Sequence, residues 1–126
     1  MKITIKSGPL SWQATIFATP TGKLIYQSLP LKGKASRWGQ EIYFAVPVAA
    51  DLETDALELV AKGDLGYWPG GRAFCIFFGP TPISGRNEIR PASAVNVFGR
   101  IKGDLSDLNK VKDGDEVTVE KSWPNL

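Results

Sequence analysis

Polar and apolar residues alternate from the start of the chain, with Ile3 and Ile5 on one side and Lys2, Thr4 and Lys6 on the other. A period of two is that of a strand with one buried face. The same period returns in residues 12–18 after Gly8-Pro9, which predicts a hairpin. The period then lengthens. Thr19 before Pro20 reads as a helix cap followed by proline at the first helical position. Leu24, Ile25, Ser28 and Leu29 predict a single oily stripe, and Pro30 ends the helix. Residues 31–39 read as an exposed loop that turns apolar at Trp38. Residues 40–47 form a strand with Ile42, Phe44 and Val46 on one face and Glu41, Tyr43 and Ala45 on the other. Beyond a loop, a further strand is expected from about Glu58. "GDLGYW" and "AFCIFF" flank Pro69-Gly70, whose order suits the centre of a type II turn, so the pair reads as a hairpin. In residues 92–101, Val95, Val97 and Ile101 alternate with Asn96, Phe98 and Arg100. Asp104 is placed to cap a brief helix through Lys110, and Asp113-Gly114 turns into a last strand with Val117 and Val119 inward.

Seven or eight strands with one or two short helices, and no strand-helix repeat, predict a mainly β fold. The expected form is a closed antiparallel barrel with short capping helices. A length of 126 residues fits one domain over residues 1–126. Apolar residues at 43% and charged residues at 22% are those of an ordinary globular chain, and no apolar run approaches a membrane span. The chain opens at once on a strand pattern and carries one cysteine, so the expected compartment is the cytoplasm, with no internal disulfide. A net charge of +2 gives no track for nucleic acid. The absence of histidine excludes Ser-His-Asp and Cys-His arrangements and removes the main ligand of zinc sites. No phosphate loop or dinucleotide fingerprint is present, so no cofactor or metal is expected.

Several motifs now stand together: Thr19-Pro20-Thr21 with Leu29-Pro30, Trp38 to Phe44, Gly63 to Pro69, and Phe78-Gly79-Pro80-Thr81-Pro82. Over residues 2 to 120 the chain resembles a family of small prokaryotic cyclophilin-like proteins of unassigned function. The resemblance implies a cyclophilin-type barrel. It does not imply prolyl isomerase activity. True isomerases carry an arginine three residues before a Pro-Gly-Phe turn and a glutamine in the following strand. In this chain Pro69-Gly70 looks like that turn, Gly66 stands at the arginine's position, and Phe77 looks like the counterpart of the glutamine. The group that would weaken amide conjugation as the bond twists is missing. Arg72, in the turn itself, is the one nearby cation.

The candidate site follows from "AFCIFF". Phe74, Ile76 and Phe78 point one way, Cys75 and Phe77 the other, and both faces are apolar. One face packs the interior, while the other needs a loop, a partner or a ligand. On the cyclophilin-like register Cys75 and Phe77 face an outer groove, joined by Trp68 across the hairpin. Glu41 and Tyr43 share the non-core face of their strand, and fold analogy sets that strand near the groove. A carboxylate beside aromatic rings is desolvated and rises in pKa, which suits a ligand anchor or a general base. A salt bridge to Arg37 or Arg100 is the plainer role for it. Thr81, held between two prolines, presents a fixed hydroxyl or simply stiffens a turn. Cys75, in an apolar run, reads as an inert thiol. The predicted ligand-binding set is Trp38, Glu41, Tyr43, Trp68, Phe77 and Thr81, taking a small molecule or a short peptide. Three readings stay open: a binding protein without isomerase activity, an enzyme using Arg72 or Glu41, and a homodimer that covers the groove.

Overall fold

The opening alternation produces β1 (Lys2–Ser7) and β2 (Leu10–Ile16), paired antiparallel across the Gly8-Pro9 turn. In this computed structural model, which describes residues 1–122, helix α1 (Pro20–Gln27) comes next. Thr19 caps it as expected: its hydroxyl oxygen accepts the Gly22 N–H at 3.0 Å. The oily stripe differs from expectation, because Ile25 packs inward beside Thr21 and Gly22 while Leu24 is exposed. At 100° per residue Ile25 falls between Thr21 and Gly22 on the docked face, whereas Leu24 lies to one side of it.

Residues 31–39 are not a loop. They contain β3 (Leu31–Lys34) and β4 (Ser36–Arg37), separated only by Ala35. The next strands are β5 (Glu41–Ala45), β6 (Asp64–Trp68), β7 (Ala73–Phe77), β8 (Asn96–Ile101) and β9 (Glu116–Lys121). All nine join one antiparallel sheet in the order β3-β9-β1-β2-β8-β6-β7-β5-β4. Since β3 pairs with β9 and β4 pairs with β5, one bent stretch supplies both edges of the sheet and nearly closes it into a barrel. Its sequence hides this role because Lys32 and Lys34 are solvated and only Leu31 and Ala35 are buried, too few positions for a period.

Three further details depart from the pattern. No strand begins near Glu58; Leu57 and Val60 make isolated bridges to Val95 and Ile89, and pairing resumes at Asp64. The turn after Trp68 is a 3-10 turn over Pro69–Gly71 that ends with Arg72 in the left-handed region, φ 46°. In β8 the expected phase is reversed. Leu65 pairs with Gly99 and Gly66 with Val97, leaving Phe98 as the extra residue of a bulge. The bulge turns Phe98 into the interior and sends Val95 and Val97 to the outer layer. After β8, a 3-10 turn over Ser106–Lys110 stands where the brief helix was expected, with Asp104 Oδ1 accepting the Ser106 N–H at 2.9 Å. Val117 and Val119 of β9 are buried, as the alternation predicts.

The interior is built on Ile3, Ile5, Leu65 and a ring cluster in which Phe74 stacks on Phe44 and meets Phe98 edge-on, each pair at 5.0 Å. A second apolar cluster lies outside the barrel wall. Ala73, Cys75 and Phe77 sit there against Ile89 and Val95 of the segment between β7 and β8. No helix among the described residues is long and apolar enough to cross a membrane.

Candidate functional site

The site lies on the outer face of β5, β7 and β6, because adjacent strands set matching positions side by side. Glu41 pairs with Phe77, Tyr43 with Cys75, and Trp68 with Ala73, so all of these side chains leave the sheet on the same side. They enclose a recess of about 210 Å³, lined by Trp38, Glu41, Tyr43, Trp68, Cys75, Phe77, Pro91, Ala92 and Val95. The outer face that looked too apolar for water is thus divided. The covering segment seals one part and leaves the other part hollow.

Trp38 and Glu41 are set by a tight turn in which the N–H of each donates to the carbonyl of the other, at 3.0 and 3.2 Å. Gly39 makes that turn with φ +60°, and a β-carbon there would lie 2.8 Å from the Pro80 carbonyl oxygen. The Gln40 N–H donates to the same Pro80 oxygen at 2.9 Å, which ties this rim to the proline-rich segment. Across the recess, Trp68 is half-buried, and its indole N–H donates to Ser93 Oγ at 2.7 Å. Phe77 forms the floor and is wholly buried.

Glu41 is the one ionisable carboxyl in the lining and is only 6% exposed. Burial raises its pKa from 4.5 to about 7, and a hydrogen bond from the Cys75 thiol offsets part of the rise. That thiol also has the Ala73 carbonyl at 3.8 Å as an acceptor, so its hold on Glu41 is shared. Burial likewise pushes the Cys75 thiol well up, and the neighbouring carboxylate pushes it further. Such a thiol stays protonated and is a poor nucleophile.

The salt bridges weighed for Glu41 do not form. Arg37 donates to the carbonyls of Gly39, Asn109 and Val111, and Arg100 holds Asp64 at 2.7 Å. Five of the six residues in the predicted set therefore converge on one recess. Thr81 does not join them. Its hydroxyl is turned into its own segment, donating to the Arg90 carbonyl and meeting Ser84 Oγ at 3.1 Å. The flanking prolines fix the backbone, and the hydroxyl serves that turn. Both X-Pro bonds there are trans; among the described residues only Leu29–Pro30 is cis. The residues that the alternation missed are Pro91, Ala92 and Val95. They come from the covering segment, whose path across the outside of the sheet is not recorded in local alternation.

The two positions compared with isomerases are occupied by packed apolar groups. A β-carbon on Gly66 would lie 2.9 Å from Val95 Cγ2 and 3.1 Å from Phe77 Cε2, so the space an arginine stem would need is filled. Arg72 is exposed at the end of its turn and does not line the recess.

Residues 1–120 match the cyclophilin-like family. The fold is similar to the solution structure of the hypothetical protein AF2241 from Archaeoglobus fulgidus. The two chains are 41% identical, with a TM-score of 0.80 over 97% of this chain and 95% of the other. A more distant likeness is to McbB, whose structure was solved in complex with tryptophan. That match has 15% identity and a TM-score of 0.62, and covers 98% of this chain but 46% of McbB. At that identity the likeness is one of fold. No curated protein matches the chain.

Proposed function

This chain belongs to the cyclophilin-like family, and from that premise we propose that it binds a small molecule in the outer recess and does not isomerise prolyl bonds. The observation that carries the reading is the convergence of Trp38, Tyr43 and Trp68 around one buried carboxyl, in a recess of about 210 Å³. A few polar groups in a preformed apolar lining are the usual make-up of a ligand site. The volume equals that of about seven waters, which suits a single substituted ring, or one side chain of a short peptide. McbB, a protein of similar fold, is known with tryptophan bound, which agrees with a small-molecule guest.

Benzyl alcohol is a suitable neutral probe. Followed by protein NMR, it is expected to give saturable shifts at Trp38, Tyr43, Trp68 and Ala92. Trp68→Ala removes one wall and should weaken binding on the order of tenfold. If no ring compound, neutral or charged, produces a saturable shift in the recess, the reading is wrong.

Isomerase activity makes a separate prediction. With Gly66 and Phe77 at the two polar positions, an X-Pro peptide should relax in the presence of the protein at its uncatalysed rate, tens to hundreds of seconds. Acceleration that disappears in Arg72→Ala would establish the opposite. A second reading is favoured by one observation. A carboxyl titrating near 7 is matched to general acid–base work at neutral pH. Turnover of a bound carbon acid or ester, lost in Glu41→Gln with binding retained, would identify that chemistry.

A further inference from the structure

The recess has a chemical bias beyond its size. Its lining is rich in aromatic side chains, with Trp38, Tyr43 and Trp68 around it and Phe77 as its floor, and its one ionisable carboxyl is that of Glu41. Among the described residues no cation pairs with that carboxyl. Arg37, on the adjoining strand, is engaged by three backbone carbonyls. Arg90, in the covering segment, is paired with Glu88 at 2.9 Å, and Arg100 of β8 with Asp64. The titratable groups that share the recess with Glu41 are Cys75 of β7 and Tyr43 of its own strand, and neither supplies positive charge. A buried carboxylate without a counter-ion is poorly placed in an apolar lining. Aromatic faces attract cations through their ring quadrupoles. The same small space thus offers two independent sources of attraction for one kind of group.

We propose that the ligand of this recess is an organic ammonium ion of about single-ring size, its charged nitrogen against the Glu41 carboxylate and its apolar body between Trp38 and Trp68. The inference rests on the small-molecule reading of the recess and names its ligand class. It also carries a proton balance. The empty site holds the Glu41 proton over much of the range below neutrality, and the bound ammonium requires the carboxylate, so binding releases that proton to solvent. No covalent step is involved.

Benzylamine and benzyl alcohol separate the alternatives, because they differ in charge and hardly in shape. At pH 8 benzylamine is expected to bind at least about tenfold more tightly than the alcohol. Its affinity should fall on the order of a hundredfold between pH 7 and pH 5, close to tenfold per pH unit where one proton must leave. Binding of the alcohol should be flat over the same range. Glu41→Gln keeps the shape of the side chain and removes the charge, so it should erase the advantage of the amine over the alcohol and the pH dependence of amine binding. Circular dichroism of this variant checks that it folds. If both probes bind equally well in both proteins at every pH, the ammonium inference is overturned while the recess reading stands. Failure of both probes in the unaltered protein overturns the two together.

Discussion

Glu41→Gln should make the folded protein more stable at pH 8, by up to about 3 kcal/mol, and should remove most of its pH dependence between 5 and 7. The folded pKa of Glu41, about 7, lies above the 4.5 of a free glutamate. Between those values the folded chain keeps the proton and the unfolded chain has lost it. The stability that this group contributes is therefore complete below about pH 4.5. It is lost as pH rises through about 7, and is level beyond. Glutamine stays neutral throughout and keeps an amide in the same recess. Urea denaturation at pH 5, 6, 7 and 8 reads the difference directly, since the midpoint of the natural chain should decline while that of the variant stays put. Parallel curves for the two proteins would mean that the Glu41 carboxyl is solvated.

Phe77→Ala is expected to have the largest effect of any substitution at the recess, a loss of about 3–5 kcal/mol. The whole stability of a domain is commonly about 5–15 kcal/mol. Phe77 lies on the outer face of the barrel wall, where a side chain would ordinarily be half in water and truncation would cost little. Here Cys75, Ile89 and Val95 enclose it, and it is wholly buried. Alanine would leave a void under the recess and remove one of the contacts that hold the covering segment down. The test is chemical denaturation with Trp68→Ala as the comparison, because Trp68 is only half-buried and should cost clearly less. A loss below about 1 kcal/mol for Phe77→Ala would show that the outer cluster collapses without resistance and that the recess has no rigid floor.

The two predictions pull in opposite directions for a shared reason. The outer layer is apolar enough to stabilise the fold, and the carboxyl set in that layer works against stability while it stands empty. A structural role alone would be met by leucine at position 41. A neutral residue there would make a better wall.

The strands were largely legible because alternation is a local property. The hairpin of residues 2–16, the cap at Thr19, the pairing of 64–68 with 73–77 and the last strand all follow from near neighbours along the chain. The family motifs likewise lie in short runs, and they placed Glu41, Tyr43, Trp68 and Phe77 near one groove. Three features escaped. The closing strand escaped because its buried positions are too few. The phase of β8 escaped because one bulged residue exchanges the faces of everything beyond it. The roof of the recess escaped because Pro91, Ala92 and Val95 reach it only after the chain has crossed the outside of the barrel.

By itself, then, the sequence determined that the chain rolls into a β barrel with an apolar outer face. Only the tertiary structure decided that this face is part roof and part hollow, that Glu41 stands in the hollow without a cation among the described residues, and that Thr81 turns away from it. The reason is one of range. Alternation records which side of a strand a residue leaves, but burial, desolvation and pairing depend on what arrives there from elsewhere in the chain.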